Sequence, residues 1–207
     1  MYLFEDLAVH SRIVVTGPQR SGTRIAARMI AKDTKHRFVD EQGFDTRNEE
    51  RWREILRDEQ IVVQAPCMLK EVVDNPPPGT FIVLMRRDLT KIHASEHRVG
   101  WDQMPDGNAL ELEKFGLAEG DSAGTKYDYW ESHEKMVPFL ELEYESLRQH
   151  PLFIADHRRR NFSALQTSNA RLKPLMPLAI TLGRRWQRFL PMPGRVHRHR
   201  PDRRLPE

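Results

Sequence analysis

The stretch GPQRSGTR, residues 17–24, most constrains the fold of this chain, because it directly follows the apolar run RIVVT at residues 12–16. A strand, a glycine-rich turn and a helix in this order point backbone N–H groups and the helix dipole at one spot, where they bind an anion. Gly17 and Gly22 have the spacing of the Walker A loop, but Thr23 replaces its lysine and Arg20 supplies a cation inside the loop. A plain strand-to-helix turn, with Ser21 or Thr23 as N-cap, is the alternative interpretation.

Strand-like and helix-like segments alternate through the first two-thirds of the chain. The run GTFIVLM is continuously apolar, which is typical of a strand covered on both faces. Alternation predicts a parallel sheet with right-handed crossovers. The predicted fold is therefore α/β, a P-loop NTPase-like three-layer α/β/α arrangement with a central parallel sheet. The predicted strands are residues 12–16, 37–39, 60–64, 80–85 and 139–143, and the predicted helices include residues 23–32 and 48–57.

The length of 207 residues suits one domain, which we place at residues 1–170. Residues 100–125 are polar and glycine-containing, and predict a long loop or insertion that shapes a binding pocket. Residues 171–207 are predicted to be a basic, partly disordered C-terminal extension. The net charge of +3 comes from this end, since eight arginines and two acidic residues follow Gly183. The overall charge therefore says little about partners, and no nucleic-acid partner is expected.

The single cysteine, Cys67, excludes an internal disulfide and indicates a reducing compartment, where a small buried thiol is a more common role than catalysis. The N-terminus MYLFEDLAVH lacks the basic start and apolar core of a signal peptide. No apolar run approaches the ~20 residues of a membrane span. We expect a cytoplasmic protein without a membrane partner.

The strand FIVLM ends in Arg86 and Arg87, where a nucleotide kinase would need an acidic residue to help hold Mg²⁺. Arginines at that position favour direct binding of an anion, so no metal is expected. His93 and His97 have the i, i+4 spacing of a metal pair, but no third ligand is evident, and two surface histidines are the simpler interpretation.

The segment GPQRSGTRIAARMI resembles the 5′-phosphosulfate loop of sulfotransferases, which use 3′-phosphoadenosine 5′-phosphosulfate (PAPS). In that family a proline and then a lysine or arginine precede Ser-Gly-Thr. The resemblance implies that the loop binds the 5′-phosphosulfate, and that the cofactor-binding residues here are Pro18, Gln19, Arg20, Ser21, Gly22, Thr23 and Arg24.

Two later segments carry the same resemblance in the family's order. In VLMRRDLTKIHAS, Arg87 and Ser95 match the arginine and the serine eight residues later that bind the 3′-phosphate; Arg86 is one residue out of register. A surface arginine and a helix serine are the alternative if these residues are taken alone. VPFLELEYESLRQHP is similar to the family's late strand, and Tyr144 in it is expected to be a core residue.

From Arg20 onward, RSGTRIAARMIAKDTKHRFVDE is similar to the tyrosylprotein branch, so the first third is closest to the tyrosylprotein and heparan-type branches. In that branch an acidic pair follows the next strand and its second member is the general base. The resemblance implies that Glu41 is the base, with Asp40 and then His97 as rivals. A solvated loop acid is the alternative interpretation.

The chain also departs from the family. Gln64 stands before Pro66 where many members have a lysine, and Arg24 stands where many have a threonine. The glycine-rich 3′-phosphate segment near the family's C-terminus is not evident, and Arg159 or Arg160 could substitute for it.

The resemblance implies in-line, metal-free transfer of a sulfuryl group from PAPS to an acceptor hydroxyl, leaving 3′,5′-adenosine bisphosphate, with Arg20 and Glu41 as catalytic residues. An atypical P-loop nucleotide kinase or NTPase, and a non-catalytic nucleotide-binding module, are the alternatives. The acceptor class and the oligomeric state stay open.

Overall fold

The computed structural model of this protein describes residues 3–44, 49–101 and 105–155. Its centre is a sheet of five strands, all paired in parallel, in the order β2-β3-β1-β4-β5. The strands are β1 (Arg12–Thr16), β2 (Arg37–Asp40), β3 (Ile61–Gln64), β4 (Thr80–Arg86) and β5 (Phe139–Glu143). All five coincide with the segments predicted from the sequence to within a residue.

The connections between the strands are mainly helical. The helices of the described residues are α1 (Thr23–Thr34), α2 (Glu49–Ile55), α3 (Leu69–Asp74), α4 (Leu89–Val99), α5 (Pro105–Glu113) and α6 (Ser122–Ser132). Short 3-10 helices cover Glu5–Val9, Glu41–Gly43, Pro66–Met68 and Tyr144–Gln149. No helix of the described part of the chain is long and apolar enough to cross a membrane.

The hydrophobic core has two halves, one on each face of the sheet. Ile13 and Val15 of β1 pack with α1 on one face, and Val14 between them packs on the other face with Trp52 of α2 and Trp130 of α6. This alternation follows from the period of two along a strand. Helices on both faces of a parallel sheet confirm the predicted three-layer α/β/α, P-loop NTPase-like fold.

The loop after β1 lies at a predictable place in this topology. Because β1 is flanked by β3 and β4, its carboxyl end lies between Gln64 of β3 and Arg86 of β4. The chain leaves β1 at the point where strand order reverses, and ligands of open parallel sheets bind in the crevice there. The fold therefore positions residues 17–22 at the head of a crevice.

The segment 100–125 differs from the predicted long loop, because it contains α5 and the beginning of α6. Asp121 caps α6 by accepting a hydrogen bond from the Ala123 N–H at 3.0 Å. Ala123, Tyr127 and Trp130 repeat at i, i+4 and i+7, the spacing of one helix face, and pack on the rest of the domain. The proposed boundary between residues 170 and 171, the basic extension, Arg159 and Arg160 lie outside the described residues.

Candidate functional site

The turn at residues 17–22 is held close to the sheet by glycines in conformations that side chains rarely adopt. Gly17 has φ +131°, and a Cβ there would lie 2.9 Å from the Met85 carbonyl oxygen of β4. Gly22 has φ +105°, and a Cβ there would lie 2.4 Å from the Tyr144 ring. Arg20 has φ +65°, so a non-glycine residue occupies the left-handed region at the tip of the turn. Both glycines are needed for this close approach.

Ser21 holds the turn from the inside. It is fully buried, its hydroxyl donates to the Pro18 carbonyl at 2.7 Å, and its N–H donates to the same oxygen at 3.2 Å. Thr23, the first residue of α1, is also buried, and its hydroxyl accepts a hydrogen bond from Gln64 Nε2 at 3.3 Å. The two loop hydroxyls are therefore held by the protein, and the main-chain N–H groups at the start of α1 are the groups that would meet an anion.

Arg20 and Ser95 meet although 75 residues separate them in the chain. The Arg20 Nε donates to the Ser95 hydroxyl at 3.2 Å. Asp88 caps α4 by accepting from the Lys91 N–H at 3.0 Å, and this fixes where the helix begins and so which face carries Ser95. Arg98, one turn further, donates to the same hydroxyl at 3.3 Å. Two guanidinium groups thus converge on one buried neutral hydroxyl.

Arg87 is aimed at the turn. Its Nη1 donates to the Arg20 carbonyl oxygen at 2.7 Å, and its guanidinium lies 4.3 Å from the centroid of the Tyr144 ring. Its backbone N–H donates to the Tyr127 hydroxyl at 2.9 Å. The Arg87 Nε is buried and has no hydrogen-bond partner among the described residues. A buried donor without a partner costs free energy unless a ligand or water satisfies it.

Arg86, the neighbouring candidate, has a different role. Its Nε donates to Glu141 at 2.8 Å, and it also forms an ion pair with Glu131. It ties β4 to β5 and α6, so it is committed to carboxylates of the fold. Of the two arginines at the end of β4, Arg87 alone lines the cleft.

The two acidic candidates differ in their partners. Asp40 forms an ion pair with Arg24 at 2.6 Å and accepts from the Gln42 N–H at 3.2 Å. Glu41 accepts from Gln64 Nε2 at 3.3 Å and from the Cys67 thiol at 3.1 Å. Burial raises the pKa of Glu41 above its ordinary value, and the hydrogen bonds from Cys67 and Gln64 oppose that rise. Among the described residues, Glu41 is thus the acid of this pair that no cation contacts directly.

Gln64 links the base candidate to the loop. The same Nε2 donates to Thr23 and to Glu41, both at 3.3 Å. Gln64 is therefore a neutral bridge between the start of α1 and the acid that follows β2. A spacing argument could not have assigned this role, since the three residues come from separate segments.

Lys126 is a buried cation that sequence reasoning missed. It is 1% exposed, forms an ion pair with Glu111 at 2.5 Å, and donates to the Gln19 side-chain oxygen at 2.6 Å and the Pro66 carbonyl at 2.9 Å. It joins α5 and α6 to the turn and to the segment after β3. A lysine in a polar stretch gave no signal of this burial.

Residues of the turn, of α1 and α4 and of the ends of β2 and β3 line one cleft with a volume of about 350 Å³, within the usual range for small-molecule sites. Its lining carries four arginines and two acids, so its formal charge is positive. Neither Arg87 nor Arg98 forms an ion pair with any acid among the described residues. The lining includes Gln19, Arg20, Gly22, Thr23, Arg24, Asp40, Glu41, Gln64, Arg87, Ser95, Arg98, Trp101 and Tyr144.

The histidines of α4 lie on an exposed surface. His93 pairs with Asp121 at 3.0 Å, and His97 is exposed and is not among the described residues that line the cleft. Across the described ranges, no group of three or more His, Cys, Asp and Glu residues is arranged to hold a metal ion.

No protein-family model and no curated protein matches the sequence. Among solved structures, the chain is similar to a gluconokinase from Sinorhizobium meliloti 1021, at 17% sequence identity and a TM-score of 0.38. The similarity covers 79% of this chain and 95% of the gluconokinase.

Proposed function

We propose that this protein is a PAPS-dependent sulfotransferase. The observation that carries the proposal is the convergence of Arg87 and Ser95 on Arg20 at the tip of the β1–α1 turn. The turn would bind one phosphate, and the donors of Arg87 and Ser95 beside it would bind a second one. Two such positions suit a nucleotide that carries phosphates on two sides of its ribose. The orphaned Arg87 Nε and the positive lining support an anion at this second position.

The strand ends around the turn favour this donor over an Mg²⁺–nucleotide. P-loop kinases place an acid at the end of a strand near the loop to help hold the metal. The strands on either side of β1 end here in Gln64 and Arg86. The acid at the end of β2, Asp40, is already paired with Arg24. Guanidinium and main-chain donors would then neutralise the phosphates directly.

Glu41 is the proposed general base. Burial raises its pKa towards the working range of a base, while the hydrogen bonds from Gln64 and Cys67 keep its carboxylate oriented. Asp40 is less suited, because the Arg24 guanidinium occupies it. His97 is less suited, because it is exposed outside the described cleft lining.

In the proposed reaction, the Glu41 carboxylate takes the proton of the acceptor hydroxyl while the oxygen of that hydroxyl forms a bond to sulfur. The bond between sulfur and the bridging oxygen breaks, and the electron pair goes to 3′,5′-adenosine bisphosphate. Arg20 and the N–H groups at the start of α1 stabilise the negative charge that grows on that oxygen. Arg87 and Ser95 hold the 3′-phosphate, so the protein contributes positioning and electrostatics.

Thermal unfolding with three additions tests the proposal: 3′,5′-adenosine bisphosphate with EDTA, ATP with Mg²⁺, and buffer alone. A ligand at 100 times its Kd adds about 2.7 kcal/mol to stability. We expect the bisphosphate to stabilise the protein without metal. Stabilisation by ATP–Mg²⁺ alone would overturn the proposal and favour the kinase or NTPase alternative. Bisphosphate binding without turnover of PAPS against sugar, peptide, lipid and small-alcohol acceptors would favour the non-catalytic module.

Arg20→Ala supplies the matched test of turnover. Loss of one donor to a developing oxyanion lowers turnover by about 10²–10³. Arg28→Ala is the control, since Arg28 is an exposed arginine of α1, the helix that follows the turn, and lies outside the described cleft lining. Equal turnover in the two variants would contradict the role given to Arg20.

A further inference from the structure

The thiol of Cys67 contacts both Glu41 and the turn residue Gln19, and it has no role in the reaction proposed above. It donates to Glu41 Oε2 at 3.1 Å and accepts from Gln19 Nε2 at 3.5 Å. The side-chain oxygen of Gln19, Oε1, accepts a hydrogen bond from the buried Lys126 at 2.6 Å. A continuous hydrogen-bonded chain therefore runs from a buried cation, through the phosphate loop and the thiol, to the carboxylate.

We propose that Cys67 is a positioning residue, whose thiol fixes the Glu41 carboxylate at the head of the cleft and couples it to the phosphate loop through Gln19. The inference rests on the proposed function, because positioning a base has a consequence only if that base is used. Its geometric part, the bond between thiol and carboxylate, stands independently of the reaction.

The two oxygens of Glu41 are held from two directions. Gln64 donates to Oε1 at 3.3 Å and Cys67 donates to Oε2 at 3.1 Å, so rotation about the last side-chain bond would break both bonds. Gln64 comes from β3 and Cys67 from the 3-10 helix that follows it. One short segment thus orients the whole carboxylate group.

The thiol is suited to donating and unsuited to nucleophilic attack. Cys67 is half-buried, and burial together with the negative charges of Glu111 and Glu41 raises the pKa of its thiol. It stays protonated at neutral pH, and a protonated thiol is a donor to a carboxylate. The Cys67 carbonyl accepts from Lys114 Nζ at 2.6 Å, so the backbone stays anchored when the side chain is changed.

The charged and titratable groups facing Glu41 come from several elements. Asp40, the last residue of β2, lies beside it and pairs with Arg24 of α1, while Lys126 of α6 favours the charged carboxylate. Cys67 faces it from the segment after β3. Removing the thiol therefore leaves these charges in place and deletes one hydrogen bond to the ionised form, so the pKa of Glu41 should rise.

The S–H stretching band tests the bond directly, because Cys67 is the only cysteine in the sequence and the band lies where other protein groups do not absorb. In the full chain, the band should lie at the low frequency of a hydrogen-bonded thiol and move to higher frequency in Glu41→Gln. It should also move as pH falls and Glu41 is protonated. A band that responds to neither change overturns the proposal, whatever the function.

The catalytic consequence is tested with Cys67→Ala and Cys67→Ser. Cys67→Ala should lower kcat by about 10–100-fold, the value of one hydrogen bond to a charged group, and leave the KM for PAPS unchanged. Its acidic limb of kcat/KM should move to higher pH, and Cys67→Ser, which keeps a donor, should restore most of both. Equal losses in the two variants, or a parental pH profile in Cys67→Ala, would overturn the positioning role. If the parent protein does not turn over PAPS, the proposed function is wrong, and the S–H band still shows whether the thiol binds the carboxylate.

Discussion

Replacing Arg87 by alanine should weaken the binding of 3′,5′-adenosine bisphosphate far more than that of 5′-AMP, which lacks the 3′-phosphate. Arg87 donates a hydrogen bond from Nη1 to the Arg20 carbonyl oxygen, and its buried Nε has no partner among the described residues. A phosphate at this position would therefore receive at least one charge-assisted hydrogen bond. Such a bond is worth about 1.5–3 kcal/mol, or about 10- to 100-fold in Kd.

The comparison of two ligands separates this direct effect from an indirect one. Arg87→Ala also removes the bond to the Arg20 carbonyl and the contact with Tyr144, and both changes can loosen the loop. A looser loop weakens both ligands by the same factor, because both carry the 5′-phosphate. The difference between the two losses isolates the 3′-phosphate, as in a double-mutant cycle.

Isothermal titration calorimetry, in EDTA and at fixed salt, measures the affinity of the parent and of Arg87→Ala for each of the two ligands. Arg28→Ala is measured against both ligands as the control. We expect about 10- to 100-fold loss for the bisphosphate in Arg87→Ala, a much smaller loss for 5′-AMP, and parental values in Arg28→Ala. Equal losses for the two ligands would refute the assignment of Arg87 to the 3′-phosphate.

Three further predictions follow from the same contacts. Burial raises the pKa of Glu41, so the folded state binds its proton more tightly than the unfolded state does, and this group's contribution to stability falls as pH rises. The Glu41→Gln variant should therefore be more stable than the parent in urea unfolding at pH 7. The same variant should lose activity. Lys126→Met should cost about 3–5 kcal/mol by leaving Glu111 unpaired, and the added change Glu111→Leu should recover most of it in the same urea assay. Gly22→Ala should lower Tm and abolish bisphosphate binding, whereas Gly43→Ala, where a Cβ meets nothing within 4 Å, should retain both; similar Tm values would contradict the packing argument.

The strands could be predicted from the sequence because their burial is recorded in the chain itself. β4 is buried along almost its whole length, and its uninterrupted apolar run follows from cover on both faces. The glycine spacing of the loop predicted where the turn lies for a similar reason, since the close approaches of Gly17 and Gly22 exclude a side chain. Local physics was sufficient for both.

The segment 100–125 shows where local physics is insufficient. Gly124 and Thr125 have low helix propensity, and the apolar face of α6 becomes visible only when residues beyond 125 are included, up to Trp130. Lys126 within it is buried because Glu111, Gln19 and the Pro66 carbonyl surround it. Those partners come from three distant segments, so no window of sequence around Lys126 contains the reason for its burial.

The contacts of the acidic pair Asp40 and Glu41 could not be predicted from the sequence either. Asp40 and Glu41 are adjacent, yet one meets Arg24 and the other meets Gln64 and Cys67. The end of β2 turns into a 3-10 helix at Glu41, so the two side chains leave the backbone in different directions. Sequence could name the pair, and tertiary structure separates their environments.

A crystal structure of the protein with 3′,5′-adenosine bisphosphate, grown in EDTA, tests the central claim most directly. The account predicts the 5′-phosphate at the main-chain N–H groups at the start of α1 and the 3′-phosphate within hydrogen-bonding distance of the Arg87 guanidinium and the Ser95 hydroxyl. A nucleotide with its 5′-phosphate on the turn and its 3′-phosphate in solvent, away from Arg87 and Ser95, would contradict it.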